Sequence, residues 1–150
     1  METEDRVAKL KTPEECEQFA RNVEARGMPA LARAARRRAV ELRAAAHGAA
    51  SDAEREALEA VYAYEGVLSR NHRGKKIRAA RTWGMIERRG IIAAVEQVVS
   101  RKFESKGYTA LVEMGMADKA FEAVVLRHPT VFSAEAVERS SKRISGEEEC

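Results

Sequence analysis

Residues 70–89 read RNHRGKKIRAARTWGMIERR, and across these positions eight Lys or Arg face a single acid, Glu87. The chain as a whole carries only +3, so the positive charge is gathered here and the remainder is net acidic. Gathered cations attract polyanions; Arg adds bidentate contacts to phosphate, and counterion release supplies affinity. The chemistry these residues suit is the holding of a phosphate backbone, without bond making or breaking. Arg70, Arg73, Lys75, Lys76, Arg78, Arg81, Arg88 and Arg89 are the candidate nucleic-acid-binding residues. On a helix of 100° per residue, Lys75, Arg78, Arg81, Met85, Arg88 and Arg89 fall on one side, and Ala79, Trp83, Ile86 and Gly90 on the other. That spacing predicts a helix packed through Trp83 and Ile86 that offers guanidinium groups outward. A solvated helix face without a partner is the plain alternative.

A second cluster, Arg33, Arg36, Arg37, Arg38 and Arg43, is relieved by Glu41. The expected role there is surface pairing with acids such as Glu24.

Other chemistry finds little footing. His47, His72 and His128 have no metal-site spacing and no Cys partner, and the first and last of them fit helix C-termini, where imidazolium meets the negative end of the dipole. No Gly-rich phosphate loop or nucleophile elbow is present. Tyr62, Tyr64 and Glu65 read as the amphipathic side of a long helix. No catalytic residue, cofactor or metal is expected.

The elements that must position these residues are helical. Thr12-Pro13-Glu14-Glu15 is a helix start with Thr12 as N-cap and Glu15 placed for a capping box, and Cys16, Phe19, Ala20 and Val23 make an apolar stripe that ends at Gly27. A helix over 13–26 and another from Pro29 to about Ala46 form a hairpin. Ser51 with Glu54 opens a long helix to about Arg70, followed by a basic loop over 69–74. Helices are predicted over 76–89 and, beyond Gly90, in IIAAVEQVVSRK, a pair with the outline of a helix-turn-helix but an apolar position taken by Gly90. Residues 103–107 read as a linker, 108–114, 117–127 and 134–144 as short helices, and 145–150 as an acidic tail.

In the C-terminal part, Leu111, Met114, Gly115 and Met116, then Ala120 and Ala123, then Ala136 and Val137, follow a pattern similar to the ubiquitin-associated family of three-helix modules. In that family the Met-Gly-apolar turn binds partner proteins. The resemblance implies Met114, Gly115 and Met116 as a partner-binding surface, an alternative to the basic segment.

Composition agrees with a helical chain: 45% hydrophobic residues, 34% charged, 5% aromatic and three prolines. The expectation is an all-α bundle of seven to eight helices in one domain, with sub-lobes over 12–102 and 103–144. Two cysteines, Cys16 and Cys150, fit a reducing compartment, and no apolar run is long enough to cross a bilayer. The expected protein is cytoplasmic and does not engage a membrane. Its partner is nucleic acid, DNA rather than RNA, with a protein partner as the alternative.

Overall fold

The computed structural model describes residues 2–73, 75–100 and 105–145. Among these it contains α-helices and one 3-10 turn and no strand, so the all-α expectation holds. The chain divides into two compact units, Met1–Gly48 and Ala49–Cys150.

The first unit holds α1 (Glu2–Ala8), α2 (Pro13–Ala25) and α3 (Pro29–His47). Capping chemistry sets the start of α2: Thr12 Oγ1 accepts from the amide of Glu15 at 3.1 Å, and the Glu15 carboxylate accepts from the amide of Lys11 at 2.9 Å. Gly27, at φ +76°, supplies the left-handed turn between α2 and α3. Val7, Ala20, Val23, Leu31, Ala32 and Ala35 form the core of this unit. Cys16 is fully buried, and burial pushes its thiol up against the opposing pull of Arg38. The sequence reading missed α1, in which Val7 is buried; a helix so short shows no periodicity.

The second unit holds α4 (Asp52–Asn71), α5 (Ala80–Arg89), α6 (Ile91–Val99), α7 (Ser105–Glu113), a 3-10 turn (Ala117–Lys119), α8 (Phe121–Arg127) and α9 (Ala134–Ser145). Ser51 Oγ caps α4 by accepting from the amide of Glu54 at 3.2 Å. Ala57, Leu58, Glu59, Ala60 and Val61 are all buried in succession. Five consecutive buried positions leave no face of that stretch to solvent, as expected of a central helix. Helices α6, α7 and α8 and the 3-10 turn pack on it.

The expected helix over 117–127 is broken by extended backbone at Ala120, ψ 150°. Lys119, Ala120, Phe121 and Glu122 on either side of the break are all buried. Two of them carry charge. Lys119 Nζ reaches Glu59 at 2.6 Å, and Arg143 of α9 reaches Glu122 at 2.7 Å and the carbonyl of Val99 at 3.2 Å. Of the expected linker over 103–107, residues 105–107 belong to α7 and the other two lie outside the described residues, as do Cys150 and all of the acidic tail except Ser145.

Arg143→Met would leave Glu122 buried without its cation. Urea unfolding is expected to show a loss of about 3 kcal/mol, the usual cost of stranding one partner of a buried pair.

Glu56 carries the pH dependence. Burial favours its neutral form, but Arg127 at 2.6 Å and His128 Nε2 at 3.1 Å outweigh burial and hold the carboxyl below its ordinary 4.5, with Arg55 a further 3.7 Å away. A carboxyl lowered in the folded state stabilises above its unfolded pKa and stops doing so as pH falls through the folded value. Glu56→Gln is therefore expected to be less stable than the parent at pH 7, with the gap in Tm closing below about pH 4.5.

Candidate nucleic-acid interface

The basic segment leaves α4 after Asn71, one residue past the expected helix end at about Arg70. His72 closes it, its Nδ1 2.8 Å from the carbonyl of Leu68, and Arg73 takes a left-handed φ of +59°. Gly74 lies outside the described residues.

Residues 75–79 are not helical, which corrects the expected helix over 76–89: α5 begins at Ala80. The physical reason lies on α4. Ser69 Oγ accepts from the amide of Ile77 at 3.2 Å, and Glu65 Oε2 accepts from the amide of Ala79 at 2.8 Å and from Trp83 Nε1 at 2.7 Å. Side chains of α4 thus satisfy alternate backbone donors, and the chain runs back along α4 before it turns into α5.

Trp83 is buried, as the wheel predicts, and its ring meets Tyr62 at 5.2 Å between centroids. The Arg78 guanidinium sits over the indole at 5.1 Å, a cation–π contact that fixes its direction. Met85 departs from the expected outward face and is buried. With Thr82, Trp83 and half-buried Ile86 it makes the inner side of α5, an apolar methionine from the middle of the expected basic face.

Arg70, Arg73, Lys75, Lys76, Arg78, Arg81, Arg88 and Arg89 are all exposed. Among the described residues, Arg70 is the one of the eight at ion-pair distance from a carboxylate, Glu113 at 3.3 Å. The cluster on α3 has a different fate. Arg36 forms a bidentate pair with Glu24 at 2.9 and 3.0 Å, Arg37 lies 3.6 Å from Glu41, Arg43 pairs with Glu17, and Arg38 donates to the carbonyl of Leu10 at 2.8 Å. The expected pairing with acids is met by Arg36, Arg37 and Arg43, while Arg33 is exposed.

The Met114-Gly115-Met116 turn is built largely into the unit. Gly115 supplies a φ of +72°, Met116 is 1% exposed, and the methyl end of half-buried Met114 lies against Gly66 of α4. The imidazoles of His47 and His128 stand at the ends of α3 and α8.

Beside the basic segment lies a cavity of about 340 Å³ whose lining includes Tyr64, Leu68, Arg78, Arg81, Tyr108 and Glu122. It brings Tyr64 together with Arg81 but takes in neither Tyr62, Glu65 nor His72. Tyr108 and Glu122 escaped the sequence reading, since each reaches the cavity from a different, distant helix and neither has a local motif. Among the described residues no group of His, Cys, Asp and Glu is placed to hold a metal ion, and no helix is long and apolar enough to cross a membrane.

Fold and site together define the class: an all-α protein that presents an exposed basic segment from a central helix. No protein-family model, no curated protein and no solved structure matches the chain.

Glu65→Ala removes the acceptor shared by Ala79 and Trp83. Unfolding is expected to show a loss of about 2 kcal/mol, as for hydrogen bonds to a charged group. The fluorescence of Trp83, the one tryptophan in the sequence, is expected to shift to the red as the indole gains water.

Proposed function

We propose that the protein binds nucleic acid, DNA in the first instance, through the phosphate backbone, with residues 70–89 as the interface and no reaction of its own. The observation that carries this reading is the contrast between the two basic clusters. On α3 four of the five cations are taken up, by Glu17, Glu24, Glu41 and a backbone carbonyl, and Arg33 is exposed. On 70–89 they stand exposed, with one of the eight paired to a described carboxylate. An intramolecular partner adds little at the surface, whereas release of condensed counterions from a polyanion adds a term for every phosphate neutralised. The cations are also held in place: Glu65 anchors both ends of the 79–83 turn, and Arg78 is stacked on Trp83.

Fluorescence anisotropy at several salt concentrations tests the proposal. Arg81→Glu/Arg88→Glu/Arg89→Glu, at three exposed positions, is expected to weaken DNA binding tenfold or more. It should also flatten the salt slope by about 0.9 for each duplex phosphate that the variant no longer neutralises. Arg33→Glu on α3 should stay within about twofold of the parent. Unchanged affinity and slope in the triple variant reject the interface.

A further inference from the structure

We propose that the 340 Å³ cavity beside the basic segment receives one unstacked nucleotide, its base against the tyrosines and its phosphate at Arg78 and Arg81. This rests on the reading that residues 70–89 hold phosphates.

Three features carry it. The volume is that of a small-molecule site, which spans roughly 300–1,000 Å³. The lining is mixed in the way a nucleotide is mixed. Tyr64 of α4 and Tyr108 of α7 supply ring surface, Leu68 supplies apolar wall, and Arg78 and Arg81 supply positive charge. Aromatic rings and guanidinium planes are what unstacked bases settle on, whatever their sequence. Finally, the two arginines belong both to the cavity lining and to the exposed cationic surface. A strand whose backbone follows the segment passes the cavity mouth, and Arg78 is already oriented there by Trp83. Glu122, also in the lining, is compensated by Arg143 at 2.7 Å and does not repel a phosphate as a lone carboxylate would.

A base inside an intact duplex is stacked and paired and cannot enter, so the cavity selects single strands, loops or free nucleotides. The shared ligand chemistry is a purine or pyrimidine nucleotide, and the experiment separates its two sources. Anisotropy is measured with a labelled single-stranded oligonucleotide and with the blunt duplex of the same sequence, each also competed by a mononucleotide, AMP, and by inorganic phosphate at equal concentration. AMP and phosphate are also titrated into the protein alone, read by Trp83 fluorescence. The variants are Tyr108→Leu and Tyr64→Leu, with circular dichroism as the check on folding, and Arg88→Glu/Arg89→Glu as a pair outside the cavity.

The expected result is tighter binding of the single strand than of the duplex. The tyrosine variants should lose tenfold or more on the single strand and less than twofold on the duplex, and AMP should compete with the single strand where phosphate does not. Equal binding of both DNAs, unaffected by the tyrosine variants and by AMP, overturns the cavity proposal and leaves the backbone reading standing. Loss of the backbone reading has its own signature, since Arg88→Glu/Arg89→Glu would then leave duplex binding unchanged. Saturable AMP binding that depends on Tyr108, with no binding of either DNA, supports the cavity for free nucleotides and rejects the polymer. If a tyrosine variant fails to fold, AMP competition on the parent protein decides.

Discussion

One carboxylate sets how the basic segment is presented. Glu65 stands on the central helix and accepts from the amide of Ala79 and the indole of Trp83 at once. Those two bonds, with Ser69 on Ile77, hold the chain out of helix over 75–79 and then release it into α5 at Ala80. Everything outward depends on that anchor: Arg78 lies on the indole that Glu65 holds, and Arg81 and Arg88 are exposed on the helix whose first turn it fixes. A free basic loop would sample many arrangements and lose them on binding, whereas an anchored one meets a polyanion with that entropy already spent.

The central helix can serve as anchor because it is itself held from several sides. Its buried stretch at 57–61 rests under α6, α7 and α8, and the buried Lys119–Glu59 pair ties the 3-10 turn to it. The Arg143–Glu122 pair, with the bond from Arg143 to Val99, does the same for α9, α8 and α6. Buried pairs of this kind add little net stability over apolar packing, but breaking one is costly, so they favour a single arrangement of the short helices. Those helices bring Tyr108 and Glu122 to the cavity where Tyr64 and the arginines already stand.

What could be read from the sequence was what is local. Thr12 and Ser51 announced α2 and α4, because a cap bonds an amide three residues on. The excess of cations over 70–89 needs no fold to be seen, and neither does the supply of acids near α3 that pairs its arginines. What could not be read depends on groups far apart in the chain. The late start of α5 is decided by Ser69 and Glu65 from another helix, the break at Ala120 by a buried partner sixty residues away in Glu59. Met85 lay in the middle of the basic face on the wheel, and only the packing of α5 within its unit shows it buried. The cavity has no sequence signature at all, since its two tyrosines lie on α4 and α7.

The central claim is that the cations of 70–89, and not those of α3, meet the polyanion. Amide-resolved NMR titration of the protein with a short DNA tests it most directly. Shifts concentrated in residues 73–89 and in Trp83 Nε1, with the amides around Arg36 and Arg43 unmoved, are the expected result. Shifts confined to α3, or none at a DNA excess and low salt, would contradict the account.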